Sequence, residues 1–271
     1  MFMTEIIAKR QFDPLYIWLD IGFLLVFAAL LLFKKKYMTV IIGLLSGILY
    51  MVVDYGIFNK VMHAREIFNG YSMFWVLLWM SMSYGFTNFV WIWLWISKDK
   101  RLFEWTLLIL TWWVCCPMIT DTFAGNAAPV IIQRTTGSYH GYMALIMLVG
   151  YLGLIIWNLT QKDKKRRINI PWLLAIGILV QFGWEVCLLI GGIRSAGFTS
   201  MSDKLMTTVV NSLVETNLGM PYIYLIFLVY SKKFKENLKR RQKPVTMMER
   251  LEENNTETVK GDEINSEYLA N

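Results

Sequence analysis

The chain has 271 residues, of which 56% are apolar, 15% aromatic and only 17% charged, with a formal net charge of +7. Soluble domains carry charge on about a quarter of their residues, so this composition argues against an ordinary water-soluble domain and makes a lipid bilayer the expected solvent. The positive excess lies in short loops and a basic tail, where it marks membrane topology and not a nucleic-acid partner.

The first residues, MFMTEIIAKRQFDP, are polar, and the first apolar run ends in LLLFKKKY with no small-residue cleavage site. That run is expected to be retained as a span and not removed as a signal peptide. Apolar runs follow at 15–33, 38–58, 72–97, 102–120, 141–160, 170–193 and 206–230. Each is long enough to cross a hydrocarbon core of about 30 Å as a helix. The expected fold class is therefore all-α: a polytopic integral membrane protein with seven transmembrane helices over residues 1–231 and a tail over 232–271.

Loop charge sets the expected orientation. Lys34, Lys35, Lys36, Lys98, Lys100, Arg101, Lys162, Lys164, Lys165, Arg166 and Arg167 fall on one side, against Lys9, Arg10, Lys60, Arg65, Arg134, Arg194 and Lys204 on the other. Eleven against seven puts the first set in the cytoplasm and the N-terminus outside. The tail agrees, because SKKFKENLKRRQK follows the last run directly and would lie against anionic headgroups. Beyond it the chain is polar and acidic, and is expected to be disordered.

Carboxyl groups inside a bilayer are costly and normally face the bundle interior. At about 1.5 Å per residue, Asp54 lies about 6 Å, Asp20 about 9 Å, Glu185 about 12 Å and Glu215 about 13 Å below the outer ends of their spans. Asp121 falls at the outer rim of span four. Helical spacing gives faces to these groups. In span two, Gly43, Ser46, Gly47, Tyr50 and Asp54 form a small-residue stripe ending in an acid. Span three contributes Ser81, Tyr84, Gly85 and Asn88; span six Gly177, Gln181 and Glu185, beside Trp184; span seven Asn211, Glu215, Gly219 and Tyr222. Pro221 has no N–H to give the carbonyl of Asn217, so that carbonyl is expected to be free.

All Lys, Arg and His residues fall in loops, the tail or an outer interface, so no buried cation is expected to neutralise the acids. Such carboxyls need a proton, water, hydrogen bonds or a visiting cation. Seven outward-starting spans resemble the microbial rhodopsins, but that family needs a lysine in the middle of span seven, and Lys204 precedes the span. In layout alone the chain resembles small vitamin and sugar transporters built from parallel three-helix repeats, with Asp54 and Glu185 in equivalent spans.

The leading expectation is a small-solute transporter or carrier of the cell membrane, with an acid-lined, aromatic-rich site in the outer half of the bundle for a cation, proton or cationic solute. Its expected ligand-binding residues are Asp54, Glu185, Glu215, Asp20, Asn88, Gln181, Trp184, Asn211 and Tyr222. Two alternatives stand beside it. One is a membrane enzyme, similar to isoprenoid cyclases in its chemistry, using a protonated Asp54 or Glu215 on a lipid-soluble substrate; the other is a receptor or assembly factor. P-loop, dinucleotide, HExxH and GxSxG signatures are absent. Cys115, Cys116 and Cys187 lie in apolar runs without metal-type spacing, so no metal and no cofactor is expected, and membrane lipid is the one general partner. The segment at 120–141 is the longest outer loop, a lid or a plain connection.

Overall fold

The computed structural model describes residues 8–134, 139–162, 167–193 and 200–233. Among these the chain is mostly helical, with eight α-helices, one π-helical segment and three short strands. Helix α1 covers Pro14–Phe33 and α2 covers Tyr37–Met51, running on into a π-helical segment at Val52–Val61. Then come α3 (Met73–Ile96), α4 (Leu102–Phe123), α5 (His140–Thr160), α6 (Ile170–Ile190), α7 (Met201–Val214) and α8 (Met220–Lys233). Five helical stretches are long and apolar enough to cross a membrane: Pro14–Phe33, Tyr37–Val61, Leu102–Phe123, Gly141–Thr160 and Ile170–Ile190.

Local sequence explains several starts. Asp13 caps α1 by accepting the Leu15 N–H at 2.7 Å, and Asn169 caps α6 by accepting that of Trp172 at 3.1 Å. Both helices have proline in the first turn, where a missing N–H costs nothing.

The burial pattern is that of a protein with an apolar exterior. Leu25, Leu45, Leu49, Val149, Ile156 and Leu159 are exposed, while Asp20, Asn88, Gln181, Glu185, Thr216 and Asn217 are buried. Water would penalise both halves of that arrangement, and a bilayer penalises neither. It is compatible with a membrane-embedded protein.

Helix α3 is the axis of the bundle. Eighteen of its 24 residues are buried, among them Ser81, Ser83, Thr87 and Asn88. The small-residue stripe of α2 packs on it: a Cβ added to Gly85 would lie 2.8 Å from the Cα of Gly47, and one added to Gly43 would lie 2.6 Å from the Val90 side chain. Only glycine permits that approach of two backbones.

Three segments read from the sequence as polar loops instead form a sheet. Strands β1 (Ala8–Phe12), β2 (Arg65–Ile67) and β3 (Val130–Arg134) pair antiparallel in the order β1-β3-β2. The register sets Arg10 opposite Ile132, Phe12 opposite Val130, and Arg65 opposite Arg134. The period of two puts Arg10, Phe12, Val130, Ile132 and Arg65 on the buried face and Gln11 and Glu66 outside. Because β3 is the central strand, residues 130–134 of the 120–141 segment are an integral layer of the fold. At the other end of the bundle, Lys36 pairs with buried Asp99, which also accepts the Trp105 indole N–H at 3.3 Å.

The last apolar run is not one helix. It breaks between α7 and α8 at 215–219, where Leu218 N–H still reaches the Val214 carbonyl but Gly219 N–H turns back on Thr216 at 3.1 Å. Pro221 sits in the first turn of α8, where it is tolerated. The carbonyl of Asn217, expected to be free, instead accepts the Met220 N–H at 3.3 Å. The basic and acidic tail beyond residue 233 lies outside the described residues.

Candidate functional site

The inner face of the sheet overturns the expectation that the acids have no buried countercharge. Arg65 and Arg10 are buried, and each meets a carboxylate. Arg65 Nε donates to Asp54 Oδ1 at 2.7 Å and its Nη2 lies 2.5 Å from the same oxygen; Arg134 Nη2 approaches Asp54 Oδ2 at 3.4 Å. Arg10 Nη2 lies 3.9 Å from Glu185 Oε1. The sequence assigned these arginines to outer loops because neither loop composition nor helical periodicity reveals which side of a three-residue strand points inward. The available signal was one arginine in each of the three segments, two residues from an apolar neighbour: Arg10 and Phe12, Arg65 and Ile67, Ile132 and Arg134.

Arg65 and Arg134 face each other across the sheet, an unfavourable pairing on its own. Burial, and then Arg134, pull the Arg65 guanidinium down to about 10, against the opposing pull of Asp54. Burial also works against the charge on Arg134, but Asp54, and after it Glu215, outweigh it and raise its pKa. Asp54 is thus the clamp between two cations, and it lies in the first turn of the π-helical segment. Such distortions are concentrated at functional sites.

Below the sheet, Gln181 of α6 is a hub with all four amide hydrogen-bonding positions in use. Its Nε2 donates to Glu185 Oε1 at 3.2 Å and to Glu215 Oε2 at 3.0 Å. Its Oε1 accepts from Tyr84 OH at 2.6 Å and from the Thr216 hydroxyl. Three elements meet there: α3, α6 and the break between α7 and α8. Irregular backbone at this depth is tolerated only where protein or a polar cavity satisfies it, and the break is supported accordingly. Asn217 accepts the Tyr151 hydroxyl at 3.1 Å and donates to the Leu213 carbonyl at 3.2 Å. Gly177 makes room for it, since a Cβ there would lie 2.2 Å from Asn217 Oδ1.

Of the residues singled out from the sequence, Asp54, Gln181, Glu185 and Glu215 surround this region. Trp184 adjoins it through Tyr84, with ring centroids 5.8 Å apart, and packs on Trp113 at 4.9 Å; its indole N–H has no acceptor. Asn88 is wholly buried one turn beyond Tyr84 on α3, and neither of its amide atoms has a partner. Asn211 is buried in α7, and its carbonyl accepts the Glu215 N–H. Two others stand apart. Asp20 is held by the indole N–H groups of Trp79 at 3.0 Å and Trp112 at 3.2 Å, and Tyr222 is exposed with its hydroxyl on the Ile146 carbonyl. Sequence reasoning passed over Arg10, Arg65, Arg134 and Thr216.

The six charged groups balance: Arg10, Arg65 and Arg134 against Asp54, Glu185 and Glu215. Their pairing is unequal. Among the described residues Asp54 has two arginines and Glu185 has one, whereas Glu215 makes no ion pair and its side chain meets only Gln181. No group of three or more His, Cys, Asp or Glu suited to a metal ion occurs among the described residues. Comparison with protein-family models, curated proteins and solved structures finds no match. What the chain does must therefore be argued from its geometry.

Proposed function

We propose that the chain is a carrier of the cell membrane for a small solute, with its site at the broken last span. In this reading the chain crosses the bilayer seven times, α7 and α8 together making the seventh crossing, with the N-terminus outside. The observation that carries the proposal is the interruption at 215–219, which sets an acid with no ion pair among the described residues beside a four-way hydrogen-bonded hub in the bundle. Discontinuous spans of this kind are where secondary transporters bind solute and coupling ion. Two halves joined by a non-helical link can also tilt independently, as alternating access requires.

The sheet supplies the second element of the mechanism. Its arginines hold Asp54 of the second span and Glu185 of the sixth, so the outer end is latched while those pairs persist. Solute competing for the carboxylates would loosen the latch. The orientation is supported by the clustering of Lys34, Lys35, Lys36, Lys98 and Lys100 at the opposite end, and by the pairing of three of the seven outer positive residues with acids. The acid-catalyst reading has less support, because Asp54, one of its two candidate acids, is engaged by both Arg65 and Arg134.

The test is uptake by purified protein in liposomes. Tracer is expected to accumulate with the parent chain and to be lost with Glu215→Gln, which preserves size and hydrogen bonding, while the melting temperature stays within a few degrees. Full uptake by Glu215→Gln refutes the assignment.

A further inference from the structure

Alternating access needs one part of a bundle to rock against another, and the inference below, which rests on the carrier reading, concerns where this bundle parts. Contacts sort the helices into two groups, divided between residues 134 and 139. In the first, α2 meets α3 at Gly47 and Gly85, so closely that a Cβ on Gly85 would touch backbone. Asp20 of α1 is bonded to Trp79 of α3 and Trp112 of α4, and the Trp91 indole of α3 donates to the Thr106 hydroxyl of α4 at 2.8 Å. All three strands belong to this group. In the second, α5 packs on α6, α7 and α8. A Cβ on Gly150 of α5 would lie 2.9 Å from the Pro221 ring, and the Tyr151 and Tyr222 hydroxyls tie α5 to the break and to α8.

The seam between the groups, where α6 meets α3 and α4, is of another kind. Aromatic rings supply much of it: Trp184 on Tyr84 and on Trp113, Trp93 on Phe227, and Trp95 on Trp172, with centroids 4.9–5.8 Å apart. Sliding such rings strands no donor, whereas parting a buried hydrogen bond strands two groups. Two polar links cross the seam. Arg10 of β1 reaches Glu185 at 3.9 Å, and Tyr84 of α3 donates to Gln181 Oε1 at 2.6 Å and lies 3.2 Å from the Thr216 hydroxyl. The second link has a fixed polarity. Glu185 and Glu215 take the amide hydrogens of Gln181, so its oxygen is the end turned to Tyr84, and the tyrosine must give its proton there.

We propose that Tyr84 is a positioning residue of the carrier: its hydroxyl holds α5–α8 against α1–α4 with the Gln181 amide turned to Glu185 and Glu215, and the bundle parts along this seam when that bond is released.

The test uses the full chain in lipid nanodiscs, with nitroxide labels and distances read by pulsed electron spin resonance. Labels on Trp18→Cys and Tyr142→Cys span the seam, and labels on Trp18→Cys and Phe123→Cys lie within the first group; all three positions are exposed. Cys115→Ala removes the native thiol that is not buried. Tyr84→Phe keeps the ring contacts and loses the oxygen. In it the longer-distance component of the cross-seam pair is expected to rise about fivefold, as for the loss of one hydrogen bond, while the pair within the group keeps its distribution. If Tyr84→Phe does not fold, Arg10→Gln serves, since it removes the other link and should shift the same pair. A within-group pair that moves as much as the cross-seam pair, or a cross-seam pair unchanged in the variant that folds, overturns the assignment. A seam that parts as expected in a chain whose parent shows no liposome uptake refutes the carrier reading and leaves the seam in place.

Discussion

Replacing Asp54 by asparagine keeps the shape of the clamp and removes its charge, leaving Arg65 and Arg134 opposed across the sheet. With an effective dielectric of about 20, the attraction of Asp54 is roughly 7 kcal/mol for the Arg65 contact at 2.5 Å and roughly 5 kcal/mol for Arg134 at 3.4 Å, before desolvation is charged against it. Much of this is offset by the cost of taking the ions out of water, and removing one partner of a buried pair typically leaves a net loss of about 3–5 kcal/mol. Both Arg65 and Asp54 are buried, so little of the loss is recovered by hydration. At 2–4 °C per kcal/mol the melting temperature should fall on the order of 10 °C. The assay is thermal unfolding in detergent followed by the fluorescence of the 12 tryptophans, on Asp54→Asn, Arg65→Gln and the double variant. The double variant should be less destabilised than the sum of the singles by about 2 kcal/mol or more. Additive effects, or an Asp54→Asn protein melting within a degree of the parent, would refute the clamp.

Further outcomes follow from the packing. Gly85→Ala should cost about 1–3 kcal/mol in the same unfolding assay, because its methyl group meets the backbone of Gly47, which cannot step aside as a side chain can. Gly177→Ala displaces Asn217 from the break and should reduce liposome uptake; a variant with parental uptake would detach the break from transport. Gln181→Leu strands Glu185 and Glu215 without their shared donor and should destabilise by about 2–4 kcal/mol, given the strength of hydrogen bonds to charged groups. Asp20→Asn should leave uptake unchanged, since Asp20 is tied to Trp79 and Trp112 away from the hub, and loss of uptake would bring it back into the site.

The helical nature of the chain and the five long apolar helices could be read from composition and run length, since these depend on sums over about 20 residues. Helical spacing located Gln181, Glu185 and Glu215 on faces that meet, because a period of 3.6 residues holds along a regular helix. It failed at the two irregularities. Hydropathy does not register the break at 215–219, though Gly219 and Pro221 together are a breaker pair. Nothing in VVDYGIFNKV foretells a π-helical segment. The sheet escaped notice for a different reason: its strands have five, three and five residues and acquire meaning only as a set, from segments more than 50 residues apart. An arginine in such a segment counts as a loop charge until the partner strand shows which way it points.

The strand order also bears on how the chain is made. β3 is last of the three to leave the ribosome and yet is the strand to which the other two are joined. Until residue 134 has emerged, Arg10 and Arg65 have no sheet to hold them, and the acids beneath are without their cap. Four apolar helices are therefore made before the sheet can close over this end of the bundle, which makes the interval between synthesis of α2 and of β3 the period in which a chaperone would have most to protect.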